Sequence, residues 1–192
     1  MKNPHWLYFL LLFTGIFFIV RKVRADEVEV KQGVVNESNK ANNGSVDSVQ
    51  KGKFGQWKVM VANDVDGGRV CYIYSKPIDF SGNHKEDRDA RMVISIFNRS
   101  IKEVSISSGG VYRMNSKISV SIDGSQVSFV AESANVAWVE KYGSDDVVIG
   151  KLLKGFKVLV FSEFNTGTYA VDTYSLEGMR DAYNSMVNLC SK

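Results

Sequence analysis

The sequence predicts a mainly β domain, a sandwich or barrel of about eight short strands with one short helix and a C-terminal helix. Three observations predict it. From Trp57 onward the dominant pattern is period-2 alternation of apolar and polar residues. Glycine-containing turns, Asp66-Gly67-Gly68 and Asp123-Gly124 among them, separate the alternating runs. Only two segments break the alternation with helical spacing.

The elements follow in order. Trp57, Val59 and Val61 share one face of a first strand, and the Asp66-Gly67-Gly68 turn leads into a second over Arg69–Ser75. Further strands are expected at Arg91–Asn98 and Glu103–Ser108. Ile118, Val120 and Ile122 alternate with Lys117, Ser119 and Ser121, and Val127, Phe129 and Ala131 continue beyond Asp123-Gly124, which is a strong hairpin signal. Ser144-Asp145-Asp146 offers an N-cap and an acidic first turn for a short helix that Gly155 stops. Strands at Phe156–Glu163 and Thr168–Asp172 come next. After Ser175, the residues Met179, Tyr183, Met186 and Cys190 form one stripe of a last helix.

The first 25 residues have the layout of a secretory signal. Lys2 precedes an apolar run from Trp6 to Val20, and Val23-Arg24-Ala25 is a permissive junction for cleavage between Ala25 and Asp26. The run is short of the roughly 20 residues that a membrane-spanning helix needs. Arg21, Lys22 and Arg24 directly follow it, so a retained membrane anchor is the alternative to cleavage. Residues 26–53 hold no aromatic side chain and little apolar periodicity, and read as a disordered polar linker. The folded domain is placed at 54–192.

The leader changes the meaning of the net charge. The chain has 24 basic and 21 acidic residues. Lys2, Arg21, Lys22 and Arg24 belong to the leader, so its removal turns a net +3 into about −1. No nucleic-acid partner is expected, since such a partner wants a net basic domain. A membrane is engaged only through the leader, if it stays uncleaved.

Cys71 and Cys190 are the only cysteines. An even count in an exported chain suggests a disulfide, and two buried free thiols are the alternative. A bridge would close a loop of about 120 residues, worth up to about 4–5 kcal/mol in chain entropy.

No catalytic set emerges. Beyond the leader the only histidine is His84, in the charged segment Lys76–Asp89, where a solvated role is expected. Asp64-Val65-Asp66-Gly67 resembles the start of a calcium loop, but Ser75 stands where the twelfth-position acid belongs. Gly150 to Gly155 mimics a phosphate loop, with Phe156 in place of its lysine. Ser107-Ser108-Gly109-Gly110 is not a nucleophile elbow. Asp145-Asp146 suits a helix N-terminus, and Asp87 with Asp89 suits a solvated loop. No metal and no cofactor are expected. Trp57, Trp138 and Tyr174 read as framework aromatics. Tyr72 and Tyr74 alternate with Cys71 and Ile73, so they face away from that side, and with Lys76 they form a candidate contact surface.

Taken together, Trp57-Lys58-Val59, Cys71-Tyr72-Ile73-Tyr74-Ser75-Lys76-Pro77, Glu103-Val104-Ser105 with Ser108-Gly109, Ala137-Trp138, and Asp172-Thr173-Tyr174-Ser175-Leu176-Glu177-Gly178 leading to Ala182-Tyr183 and Cys190 resemble the invasion-associated locus B family. The resemblance covers about Gln56 to Cys190. It implies an immunoglobulin-like β-sandwich, a location in the periplasm or outer envelope of a Gram-negative bacterium or outside it, and pairing of Cys71 with Cys190. It supplies no catalytic residues. The expected function is non-enzymatic, an association with host-cell invasion or colonisation through contact with a host or envelope protein. The alternatives are a periplasmic housekeeping or envelope-stress factor and, of a different class, a small hydrolase.

Overall fold

The computed structural model describes residues 48–63, 67–85, 87–98 and 100–191. The leader, the Ala25–Asp26 junction and residues 26–47 of the polar segment lie outside the described residues, as do residues 64–66 of the first turn.

In chain order the elements are β1 (Val49–Phe54), β2 (Trp57–Asn63), β3 (Arg69–Ser75), β4 (Asp79–Gly82), β5 (Arg91–Phe97), β6 (Ile101–Ser107), β7 (Lys117–Ile122), β8 (Ser125–Ala131), β9 (Ala137–Val139), α1 (Asp145–Leu152), β10 (Lys157–Glu163), β11 (Tyr169–Ser175) and α2 (Met179–Cys190). The strands pair antiparallel in one open sheet, in the order β1-β2-β3-β5-β6-β9-β8-β7-β10-β11-β4. The chain is mainly β, as the alternation predicts.

The period-2 pattern becomes burial directly. Trp57 and Val59, Cys71 and Ile73, Met92, Ile94 and Ile96, Ile118, Val120 and Ile122, and Val158 and Val160 all point inward to one core cluster. Each such Val or Ile contributes about 1.5–3 kcal/mol by leaving water. The arrangement is sandwich-like, but its two layers are halves of a single sheet. They join through the three-residue β9, which pairs Trp138 and Ala137 with Ser105 and Ile106 on one side and runs beside Phe129–Ala131 on the other. The indole of Trp57 on β2 ties the layers again, donating from Nε1 to the carbonyl of Ser175 at the end of β11 at 3.0 Å. Trp57, Trp138 and Tyr174 are all fully buried framework residues.

The expected domain start at Phe54 is corrected by β1. This strand begins at Val49, inside the stretch read as linker, and pairs with β2 from Val49↔Val61 to Phe54↔Trp57. Its sequence, Val49-Gln50-Lys51-Gly52-Lys53-Phe54, is polar because it is an edge strand. Lysines there keep an unpaired row of backbone groups from recruiting another chain.

The Asp123-Gly124 signal is a two-residue hairpin turn with both residues at positive φ, 46° and 89°. The Asp123 carboxylate also accepts from the backbone N–H groups of Phe156 and Lys157 at 2.9 and 3.0 Å. The hairpin tip is thereby fixed to the entry of β10.

The helices close the core. α1 buries Val148, Ile149 and Leu152, and Asp145 accepts from the Val104 backbone N–H at 2.9 Å, pinning the helix to β6. Ser144 makes no side-chain cap, so Asp145 holds this helix end in its place. α2 lies against β1, β2 and β3 and buries Met179, Ala182, Met186 and Cys190.

Candidate functional site

The stripe on α2 meets the inward face of β3, and there Cys71 and Cys190 are joined in a disulfide, with Cα atoms 5.8 Å apart and a sequence separation of 119. Both residues are buried. The bridge fixes the last turn of α2 to the third strand and so holds β3 in a defined position.

The opposite face of β3 is the one the sequence marks out. Cys71, Ile73 and Ser75 point inward, which leaves Tyr72 and Tyr74 half-buried on the outer surface. Their rings are 6.3 Å apart and roughly parallel. Neighbouring strands add two cations that the sequence did not group with them. Lys58 is opposite Tyr74 in β2, with its ammonium 5.6 Å from the ring centre. Arg91, at the start of β5, places its guanidinium 5.1 Å from the same ring. Such contacts are worth roughly 0.5–1 kcal/mol each at an exposed site, and they hold the ring flat against the sheet.

Lys76 lies just beyond β3. Its ammonium pairs with Asp89 at 3.0 Å, and Asp89 also pairs with Arg91. Burial alone raises the Asp89 carboxyl, but hydrogen bonds from Arg91 and Lys76 outweigh it and hold the group below the usual carboxylate range. Asp89 is therefore part of a bridged cluster, which corrects the expectation of a solvated carboxylate. Tyr72, Tyr74, Lys76, Lys58, Arg91 and Asp89 thus come together on one surface. Cross-strand register was the missing signal: it becomes readable only when β2, β3 and β5 are known to be neighbours.

A second cluster lies inside the fold. Asp172 occupies an inward position of β11, between Ala170 and Tyr174. The Arg88 guanidinium reaches it from the charged segment, with Nη1 donating to Asp172 Oδ2 at 2.9 Å and Nη2 to Oδ1. Nη1 also donates to the Ser108 carbonyl at 2.5 Å. The two side chains are only 3% and 0% exposed. The guanidinium covers the Phe80 ring at 4.6 Å. Nearby, burial pushes the Tyr112 hydroxyl up to about 12 and the Tyr174 hydroxyl well above its ordinary value. Ser108 and Ser162 lie close to Tyr112, and neither hydroxyl makes a well-formed hydrogen bond to protein.

His84 is at the rim of this cluster and not free in solvent, a correction to the expected solvated role. Its ring stacks on Phe164 at 3.8 Å, and Nδ1 shares a hydrogen bond of 2.7 Å with the Thr168 hydroxyl. Desolvation by burial, helped by Arg88 and Lys85 and opposed by Asp172, lowers its pKa below 6.5. The folded state therefore favours the neutral ring. Its contribution to stability is present above pH 6.5 and is lost as the pH falls through the lowered folded value. Protection of the Thr168 and Tyr169 amides from hydrogen exchange, taken relative to the intrinsic rate at each pH, is expected to fall on acidification across that window. The dependence is expected to disappear in His84→Gln.

His84 faces a threonine and a phenyl ring, and the carboxylate that could act as a base, Asp172, is locked in an ion pair. Among the described residues, no three His, Cys, Asp or Glu side chains gather into a metal-binding group. Also among the described residues, no helix is long and apolar enough to cross a membrane.

The chain matches no protein-family model and no curated protein sequence. Among solved structures it is similar to the crystal structure of invasion associated protein B from Bartonella henselae, with a TM-score of 0.52 and 10% sequence identity. The similarity covers 75% of this chain and 99% of that one. At this identity the likeness is one of fold.

Proposed function

We propose that this protein is a distant relative of the invasion-associated locus B proteins. On this reading it is an exported, non-enzymatic protein of the bacterial envelope that supports host-cell invasion or colonisation by protein contact. The observation that carries the reading is the fold likeness, which spans nearly the whole of a protein named for invasion. The buried Cys71–Cys190 disulfide supports export, because such bridges persist in oxidising compartments.

The contact surface is the outer face of β2, β3 and β5 centred on Tyr72 and Tyr74. Tyrosine and arginine dominate the energetics of protein interfaces, and this face presents two stacked tyrosines flanked by Lys58 and Arg91 on a rigid sheet. Rings already held in place lose little entropy when a partner docks.

The test compares host-cell entry by the parent strain, a strain lacking the gene, and one carrying Tyr72→Ala with Tyr74→Ala. The double variant is expected to be exported and disulfide-bonded at normal levels and to enter as poorly as the deletion strain. Normal entry by the double variant would remove the contact role from this face. Normal entry by the deletion strain, with altered envelope integrity, would favour the housekeeping reading.

A further inference from the structure

The outer face of the other half of the sheet carries side chains that neither the core nor the Tyr72–Tyr74 surface uses. In β10 the inward positions are Val158, Val160 and Ser162, which puts Leu159, Phe161 and Glu163 outside. β11 runs antiparallel beside it and sets Tyr169 opposite Glu163 and Val171 opposite Phe161. Phe161 and Tyr169 are therefore diagonal neighbours. Their rings are 6.0 Å apart and 29° from parallel, and the residues are 37% and 42% exposed.

A cleft of about 400 Å³ opens beside these rings, with Arg113, Glu163 and Thr168 as its polar lining. Gly167, in the β10–β11 turn, has no side chain to narrow the mouth. The Arg113 and Glu163 side chains make no ion pair with any other described residue. The volume falls within the range of small-molecule sites, about 300–1,000 Å³.

We infer that this cleft binds a neutral saccharide, with a pyranose ring stacked on Phe161 and Tyr169 and its hydroxyls hydrogen-bonded to Arg113 and Glu163. The face of an aromatic ring is electron-rich and attracts the weakly positive C–H bonds on one side of a pyranose. The sugar's edge supplies what the rim lacks. Its hydroxyls donate to a carboxylate and accept from a guanidinium, so one ligand satisfies both free charges. The alternatives fit less well. An anionic ligand attracted by Arg113 meets Glu163 as well. A purely apolar ligand takes both charges out of water and gives nothing back. An apolar peptide anchor wants a desolvated pocket, whereas these rings lie open on a sheet.

The site and the Tyr72–Tyr74 surface lie on different halves of the sheet, so either can fail without the other. The test is an NMR titration of the purified protein with cellobiose, maltose, lactose and chitobiose in turn. At least one sugar is expected to shift the amides of Phe161, Glu163, Thr168 and Tyr169 with a millimolar or tighter dissociation constant. Phe161→Ala and Tyr169→Ala are each expected to weaken that binding at least about tenfold, or about 1.4 kcal/mol. The circular dichroism spectrum and thermal midpoint are expected to stay near those of the parent, because both rings are partly in solvent. The inference is overturned if none of the four sugars shifts these amides, or if the shifts persist in the Phe161→Ala/Tyr169→Ala double variant. Occupation of the cleft by a peptide without any sugar binding also overturns it.

Discussion

Asp172→Ala is expected to lower stability by about 3–5 kcal/mol, because it leaves the Arg88 guanidinium buried without a counter-charge. The loss is large against the roughly 5–15 kcal/mol that holds a domain of this size folded. Urea denaturation followed by tryptophan fluorescence measures it as a fall in the midpoint. Removing both charges at once is a different experiment. Arg88→Met with Asp172→Leu is expected to recover most of the loss, since an apolar pair of similar volume avoids the desolvation that the ions must overcome. If the single variant is as stable as the parent, the pair is not anchoring the segment between β4 and β5. The Arg88 bond to the Ser108 carbonyl shows what the anchoring achieves: one guanidinium joins that segment, the end of β6 and β11.

Loss of the disulfide is the second large effect. Cys71→Ser with Cys190→Ser is expected to cost about 2–5 kcal/mol. Most of that cost arises in the unfolded chain, which regains the freedom of a long loop. Met179, Ala182 and Met186 still pack against the sheet, so α2 is expected to stay docked near its start and to fray in its last turn. Hydrogen exchange is expected to rise at Asn188 and Leu189 well before it rises at Met179. Because both sulfurs are buried, the parent protein is expected to react with dithiothreitol only as fast as α2 detaches. Equal midpoints for parent and double serine variant would show that the bridge adds nothing to the fold.

How much of this was legible follows from the range of the forces. The eight strands expected from alternation all form, because a half-buried strand writes its two faces directly into the sequence. β1, β4 and β9 were not read. β1 and β4 are the two sheet edges and carry mostly polar side chains, and β9 is three residues long and buried throughout, with no alternation to detect. α2 and its stripe were legible from helical spacing. Pairing of Cys71 with Cys190 is expected from the even cysteine count and from the family resemblance, and the two are joined in the structure.

The Arg88–Asp172 pair was not read, because nothing local joins two residues 84 positions apart. One sign was available. Asp172 falls in register with Ala170 and Tyr174 on the inward face of β11, and an acid there demands a buried cation. Phe161 escaped notice for the opposite reason. Val158-Leu159-Val160-Phe161 is apolar at every position, so the sequence does not show which two residues face water.

The 119-residue span between the bridged cysteines also sets an order of events. Strands β1 to β3 are the first part of the sheet to be made, and the helix that covers their inner face is the last. However the chain is delivered, that face waits uncovered until α2 arrives. A contact so distant along the chain is slow to find, and apolar strands left waiting are prone to stick to one another. The lysines on β1 then guard the nascent sheet as well as the finished one. Joining of Cys71 to Cys190, with the two electrons and two protons passing to an external disulfide by thiol–disulfide exchange, becomes the closing event of folding, the point after which the first strands can no longer be lost to a wrong partner.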